Sequence, residues 1–367
     1  MRIAFYAPLK PPDHAVASGD RRVGQLLFRA LEMAGDQPFI AARLRSFDAT
    51  GDTRRQGRMA RLAQRVAVRL LTQWQREPRL RPQLWFTYHL YHKAPDWLGP
   101  TIANALGIPY VAAEASFAPK QEGGPWALGH RAVAGALRRA DAVIGLNPAD
   151  RACVTPMLRD PARYHPLLPF LDTRGYVESL MSGRPPRLIT VAMMRRGDKL
   201  TSYRLLGEAL VQLLDLEWTL DIVGDGPAWD DVVQALAPLG NRVTYLGALA
   251  DTAVAAALGG ADAMVWPAIN EAFGMALLEA QASGLPVVAG ESGGVSAIVA
   301  NGETGWLASP GDGIALAGAV RRLLENRDLR LAMGRAARDK TLRLHDLANA
   351  GERLRDIIDR LRPARAA

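Results

Sequence analysis

Residues 262–294 read DAMVWPAINEAFGMALLEAQASGLPVVAGESGG, and the way this stretch parses decides the fold. DAMVWPA has the composition of a buried strand, and AIN is the loop after it. A helix starts near Phe273 and runs to Ser283, where Gly284 supplies a left-handed stop with Pro286 just beyond. PVVAG is the next strand, ESGGV the next loop, and a second helix opens at Val295. Gly274 falls in the first turn of the first helix, where glycine costs about 1 kcal/mol relative to alanine, so packing alone does not ask for it. The two helix starts, near Gly274 and near Gly293–Gly294, lie at the same end of a sheet. Bare amides there attract phosphate, and glycine lets it come close. Glu279, about one and a half turns on, is isolated among Ala276, Leu277, Ala280 and Ala282, and its carboxylate can accept two vicinal hydroxyls of a ribose. Glu271 stands ahead of the helix, toward a different part of the same ligand. Taken singly, Glu271 is a solvated loop residue and Glu279 a surface one. The apolar surroundings of Glu279 weigh against that, because a buried carboxylate needs a partner.

Outward from this stretch, strand-like and helical runs alternate, the pattern of parallel sheets covered by helices. RLITVAM, a helix through Leu206 and Leu210, TLDIVGDG, YLGAL and GWLASP complete the second half. The first half repeats the architecture without the sequence: IAFYAPL, a helix from about Asp20 to Met33, LWFTYH, PYVAAE and AVIGLN. Between Pro166 and Pro186 the alternation stops in a stretch rich in proline and glycine, which reads as a linker. The expected fold class is therefore α/β, with two doubly wound parallel-sheet, Rossmann-like domains facing a cleft. Residues 1–170 form the first domain and 185–343 the second, with a last helix in 344–367 crossing back onto the first. Open sheets bind ligands at the carboxyl ends of their strands, so chemistry is expected there.

Composition narrows the class further. The 367 residues are 49% hydrophobic and 22% charged, a globular balance. Apolar runs such as VVAG and MVWP are too short to span a membrane, and MRIAFYAPLK lacks the apolar core of a signal peptide. Cys153 is alone, so no intramolecular disulfide forms and a reducing cytoplasm is the expected compartment. The net charge of +8 implies an anionic partner. With arginines dispersed over helices, no zinc-ligand cluster and no aromatic RNA signature, nucleic acid is not that partner.

The segment resembles the E-x7-E motif of the retaining glycosyltransferases of family 4, which have the GT-B fold. The resemblance extends through VGDGP at 223–227, RVTYLGAL at 242–249, GGVSAIVANGETGWLASPGD and LLENRDLRLAMG. It continues more loosely through IAFYAP, ASGDRRVGQLLFRALEMAGD, LGIPYVAAEAS and ADAVIGLNPAD. It implies that Glu271 touches the donor sugar hydroxyls and that the amides of Phe273, Gly274 and Met275 hold the diphosphate. Glu279 then holds the ribose.

Two departures from the family pattern stand out. After ITV the family has Gly-Arg with a Lys some five residues on, both neutralising the leaving diphosphate. Here the text is VAMMRRGDKL, with Met193 in place of that arginine, so Arg195 and Lys199 are assigned the task and Arg196 is expected to point away. Near the end of PYVAAE many relatives have a histidine close to the transferred sugar. This chain has Glu114 and Ser116 there; Glu114 either replaces the histidine in a catalytic role or pairs with Lys120. Gly19, in ASGDRR, matches the glycine-rich first loop on the donor side, with Asp20 as an alternative helix cap. His89, Tyr91 and His92, with Lys93, end a strand at the cleft and are candidate acceptor contacts; His130 is a weaker one. No D-x-D occurs, Asp215 and Glu217 being the nearest imitation. The expectation is no metal and no cofactor, since a GT-B site uses helix N-termini and basic side chains instead.

One further segment asks for a partner. RRQGRMARLAQRVAVRLLTQWQ, residues 54–75, is helical, with Met59, Leu62, Val66, Leu70 and Trp74 as an apolar stripe flanked by Arg58, Arg61, Arg65 and Arg69. That is the format of a helix packed on its own sheet and equally of an interfacial membrane helix. Packing is favoured, with peripheral contact on the inner face of the membrane left open. The expected function is metal-independent, retaining hexosyl transfer from a UDP- or GDP-linked sugar to a hydroxyl of a saccharide or lipid-linked acceptor, in cell-surface polysaccharide synthesis. The alternatives are a non-catalytic sugar-nucleotide-binding partner protein, or an epimerase or phosphorylase on the same fold.

Overall fold

A computed structural model describes residues 1–16, 18–179 and 185–362. The chain divides into two units, 1–168 with 347–367 and 169–346. Unit 1 holds β1 (Arg2–Tyr6), α1 (Gly19–Met33), β2 (Gln37–Ala42), α2 (Thr53–Arg76), β3 (Leu84–Leu90) and α3 (Gly99–Leu106). β4 (Tyr110–Ala115), α4 (Ala127–Arg139), β5 (Ala142–Gly145), the single turn α5 (Arg151–Val154) and β6 (Tyr164–Pro166) follow. Its sheet runs β2-β1-β3-β4-β5-β6, and every pairing is parallel. β1, β3 and β4 are buried almost end to end, as strands covered by helices on both faces must be.

Local chemistry explains where the helices begin. Ser18 caps α1 by accepting from the Arg21 amide, so Asp20 is not the cap. Asp52 caps α2 by accepting from the amides of Arg54 and Arg55. The stripe that α2 buries differs from the expected one. Gln56, Ala63, Ala67, Leu70 and Trp74 are inside, whereas Leu62 is exposed. Two alanines bring the helix close to its support, and Gln56 donates to Asp48 (3.0 Å) and to the Pro125 carbonyl (2.9 Å). The polar residue that anchors the helix thus also sets its rotation.

Unit 2 holds β7 (Arg187–Val191), α6 (Asp198–Val211), β8 (Thr219–Val223), α7 (Trp229–Leu236), β9 (Val243–Gly247), α8 (Asp251–Gly259) and β10 (Ala263–Trp266). After it come α9 (Met275–Ala282), β11 (Val287–Gly290), the single turn α10 (Val295–Ile298), β12 (Gly305–Ala308), α11 (Gly313–Glu325) and α12 (Arg327–Leu344). The sheet order is β12-β11-β10-β7-β8-β9, again wholly parallel. The chain reverses direction across the sheet at β7 and β10, which are neighbours, and loops after both strands emerge at one edge of the site.

The expected linker is partly structured. Leu171 donates to the His345 carbonyl (2.9 Å) and the Thr173 hydroxyl to Asp346 (2.5 Å), so this stretch belongs to unit 2; residues 180–184 of the expected linker lie outside the described residues. The last helix is not continuous from 344. α12 ends at Leu344, the His345 ring is buried against the Pro169 carbonyl at 2.6 Å, and α13 (Leu347–Asp359) starts afresh. α13 packs on α1 in unit 1, where Gly351 lies beside the Ala30 carbonyl. Residues 363–367 of the expected helix lie outside the described residues.

Candidate active site

The loop that leaves β10 carries the first functional carboxylate in a forced conformation. Ala268 (φ 54°) and Asn270 (φ 51°) are both left-handed, a state costing non-glycine residues of order 1–3 kcal/mol and found where surrounding contacts over-determine it. Those contacts are visible. The Ile269 amide donates to the Ser202 hydroxyl (3.1 Å) and the Asn270 side chain to Asp198 (2.9 Å), both on α6. Glu271 is then held at both ends, its amide donating to the Ser292 hydroxyl at 3.2 Å. Its carboxylate accepts from the Lys199 ammonium and from the Trp266 indole N–H (3.3 Å). The Lys199 ammonium also lies 5.3 Å from the centre of the Trp266 ring, within cation–π range. The structure therefore brings Glu271 and Lys199 into direct contact.

The start of α9 follows within two residues. Gly274 is its N-cap at φ 76°, ψ 48°, so the helix begins at Met275, two residues later than expected. Among the described residues, the amides of Phe273, Gly274, Met275 and Ala276 donate to no main-chain carbonyl, the usual state of a helix start. Gly293 is pressed on this turn from the β11 side. A Cβ there would sit 2.0 Å from the Glu271 carbonyl oxygen, and the residue has φ 53°. The neighbouring Gly294 amide donates to the Ala272 carbonyl at 2.9 Å. The ESGG loop therefore braces the Glu271 turn. α10, a single turn, is too short to offer the second anion-attracting helix end read from the sequence; α9 alone supplies one in this loop pair. Glu279 lies in the second turn of α9 and is only 6% exposed, beside fully buried Leu278 and Ala280.

The cationic loop after β7 is bolted to the VGDGP loop. The Ala192 amide donates to Val223, Met194 to Asp225 and Ala228 to Met194, at 3.0, 2.9 and 3.0 Å. Met194 is thereby buried and Met193 left exposed. Arg196 turns toward Asp231, 3.9 Å away, while Arg195 is exposed and has no ion pair among the described residues. Asp215, the nearest imitation of a D-x-D, is held by Arg321 at 2.8 Å.

In unit 1 the strand ends converge on a different chemistry. His89 (φ 64°) ends β3 and Glu114 (φ 53°) ends β4, both left-handed. Asp20, in the first turn of α1, lies 3.4 Å from the His89 Nδ1. Burial pushes the Glu114 carboxyl up to about 7, with Asp20 and Asp150 adding to the rise and His89 opposing it. Burial disfavours charge on His89, yet Glu114, Asp20 and Asp150 outweigh it and its pKa is raised. The same hydrogen bond lowers the Asp20 pKa, chiefly through His89. Glu114 Oε2 and the Tyr88 hydroxyl are enclosed without completing a hydrogen bond, and no pairing with Lys120 forms. Tyr91 stacks beside His89 with ring centres 5.0 Å apart, and burial followed by Asp20 and Glu114 lifts its hydroxyl to about 12. His92 is held low by burial and Lys93, and faces Tyr91 and Trp126.

Other expected residues are less involved. Gly19 opens α1 with no atom crowding the place of a Cβ, so nothing within the chain requires glycine there. His130 is buried and stacked on Phe117 at 4.5 Å, a packing role. Sequence reasoning missed Trp266, Ser292 and Asp150. Trp266 had a faint signal, an indole at the last position of a strand otherwise made of small and aliphatic residues. Ser292 and Asp150 had none beyond lying in loops after strands.

Residues 182–340 match the model of the family described as glycosyl transferases group 1. The chain belongs to the glycosyl transferases group 1, through its second unit. This group 1 chain is 32% identical over 165 residues to the sulfoquinovosyl transferase SQD2 of Arabidopsis thaliana, covering 44% of this chain and 31% of that one. Over 124 residues it is 40% identical to glycogen synthase of Mycobacterium tuberculosis, covering 33% of this chain and 30% of that one. The matched part thus spans about a third of the length of these curated relatives. Among solved structures, sucrose-phosphate synthase from Thermosynechococcus elongatus superposes with a TM-score of 0.74 at 20% identity, covering 98% of both chains. HepE of Anabaena, solved in complex with UDP, does so with a TM-score of 0.74 at 17% identity, covering 98% of this chain and 100% of that one. The group 1 chain therefore has the GT-B fold from end to end.

Proposed function

We propose that this group 1 glycosyltransferase moves a sugar from a UDP- or GDP-linked donor to a hydroxyl of a saccharide or lipid-linked acceptor, with retention, in cell-surface polysaccharide synthesis. The observation that carries the reading is the contact of Lys199, Glu271 and Trp266 beside the bare amides of α9, with Glu279 buried one turn further on. Unit 2 binds the donor. The α9 amides of Phe273, Gly274 and Met275 take the diphosphate, where the helix dipole adds to their hydrogen bonds. Glu279 accepts the ribose hydroxyls and Glu271 the sugar hydroxyls. Lys199 and Arg195 offset the charge that grows on the leaving diphosphate, the role a metal plays in other transferases. HepE, a structural neighbour, is known in complex with UDP and with UDP-glucose, which supports a nucleotide-sugar donor here.

Unit 1 carries the acceptor contacts. His89, Tyr91 and His92 line its strand ends, and Glu114 acts on the acceptor hydroxyl, where a carboxyl that titrates near neutrality both donates and accepts. The non-catalytic and the epimerase or phosphorylase alternatives gain no support from any observation, because the donor-side carboxylates and the cation are all present and mutually arranged. α2 has seven arginines and no acidic residue, and Leu62 and Val68 project from its exposed face. This supports peripheral contact with an anionic membrane from the cytoplasmic side, although no helix of the described residues is long and apolar enough to cross one. Co-sedimentation with anionic liposomes at low salt, and release at high salt, is expected; a supernatant-only result at low salt refutes it.

The test of the whole reading is Glu279→Ala followed by UDP titration calorimetry. Loss of charge-assisted hydrogen bonds of about 1.5–3 kcal/mol should weaken UDP on the order of 10–150-fold. Unchanged affinity in a folded variant removes Glu279, and with it the proposed ribose site.

A further inference from the structure

At the opposite end of the unit 1 sheet, where the strands begin, lies an open groove of about 1030 Å³. It is walled by residues just ahead of β3, β4 and β5 and by the end of α13. Five arginines line it, Arg2, Arg79, Arg81, Arg139 and Arg360, against a single carboxylate, Asp141. Such a balance has an ordinary explanation for two of the five. α3 and α4 end at this edge, and helix C-termini attract cations. Arg81 donates to the Leu106 carbonyl at 2.5 Å and Arg139 to the Ile108 carbonyl at 3.0 Å. Arg139 also takes up Asp141 at 2.6 Å, and Arg163 shares that carboxylate at 3.5 Å. The only negative charge in the lining is therefore already neutralised.

The other three arginines have no such duty. Arg2 lies over the Phe39 ring at 4.8 Å, and its enclosed Nε has no hydrogen-bond partner. Arg79 is 3.7 Å from Glu77 with its side chain 85% exposed, a surface pair that contributes little. Arg360 is exposed and forms no ion pair among the described residues. Three guanidiniums of one sign, facing a concavity of ligand size with apolar walls such as Leu106, Ile108 and Leu361, repel one another unless an anion joins them. The planar fork of arginine suits phosphate in particular.

We propose that this groove is a second anion site, distinct from the donor site, which takes a phosphate-bearing ligand through Arg2, Arg79 and Arg360. Its place at the amino ends of the strands keeps it away from His89 and Glu114, so its occupation leaves the acceptor contacts free. The phosphate comes either from a soluble molecule or from a lipid headgroup.

Hydrogen–deuterium exchange of the full-length protein distinguishes these sources, with inorganic pyrophosphate in one arm and phosphatidylglycerol vesicles in the other. Protection of residues 78–83 and 106–109 is expected, with binding at least tenfold weaker in Arg79→Gln/Arg360→Gln and in Arg2→Gln separately. Pyrophosphate protection identifies a soluble ligand; protection by vesicles alone identifies a headgroup. No protection in either arm, or protection that persists in both variants, overturns the proposal. Pyrophosphate also reaches the donor site, but protection there falls on residues 271–279, and the arginine variants should leave it and the basal transfer rate unchanged.

Discussion

Replacing Lys199 with alanine isolates the charge proposed to stabilise the departing diphosphate. Lys199 is 28% and Glu271 18% exposed at the side chain, so an effective dielectric near 20 is appropriate. At about 4 Å, one ammonium and one unit of charge on the leaving phosphate then attract by about 4 kcal/mol. Part of that is already present in the resting pairing with Glu271, which must loosen as the donor enters. A net loss of roughly 2.7–4 kcal/mol remains, in the range measured for removing one oxyanion donor, and corresponds to a fall in kcat of about 10²–10³. The assay is initial-rate sugar transfer with varied donor, read beside the UDP-induced rise in Tm to confirm folding and nucleotide binding. Because the interaction strengthens as charge develops, kcat should fall far more than donor KM rises. Glu271→Gln should behave differently, raising donor KM while leaving UDP affinity near wild type, since UDP lacks the sugar. A folded Lys199→Ala enzyme with kcat within threefold of wild type would refute the reasoning. So would a Glu271→Gln enzyme whose only defect mirrors that of Lys199→Ala, because Glu271 would then serve merely to hold the lysine.

Gly293→Ala places a Cβ 2.0 Å from the Glu271 carbonyl at a φ of 53°, so a cost of at least about 1–3 kcal/mol is expected. It should appear in calorimetry as roughly 2–4 °C of Tm per kcal/mol and as weaker donor binding; an unchanged Tm and donor KM would show that the loop is not braced as described. The Glu114 carboxyl, raised from 4.5 to about 7 in the folded protein, favours folding most below its unfolded pKa and loses that contribution as pH rises through 7. Glu114→Gln should therefore gain stability relative to wild type between pH 5 and pH 8 in thermal melts, and a constant difference across that range contradicts the buried, carboxylate-surrounded setting. Product NMR should show the donor's anomeric configuration, with transfer persisting in EDTA; an inverted anomer, or activity restored only by magnesium, eliminates the proposed chemistry and leaves the fold as it is.

The sequence by itself determined whatever depends on near neighbours along the chain. The alternation of apolar runs with helical periods is local, so both sheets and most helices were legible, including α2 to within a residue at each end. The Glu271–Glu279 spacing and the glycine between them were legible for the same reason, since a loop and the first turns of one helix suffice to relate them. Which face α2 buries was not legible. Met59, Leu62 and Val66 look apolar enough, but Gln56 bonds to Asp48 and Pro125, and those partners exist only once the unit has folded. The break at His345 was hidden likewise, because its cause is the Pro169 carbonyl, 176 residues away. The site divides along the same line. Lys199 and Glu271, 72 residues apart, meet because β7 and β10 are neighbours in the sheet, although they are not consecutive in sequence. Asp20, His89, Glu114 and Asp150 converge because α1 and the loops after β3, β4 and β5 open at one edge, and their shifted pKa values arise from that enclosure. Strand order is set by how whole units bury their apolar faces, a long-range property no single segment encodes. Each reactive residue could therefore be named from its own motif, but its partners and its charge state were decided only by tertiary structure.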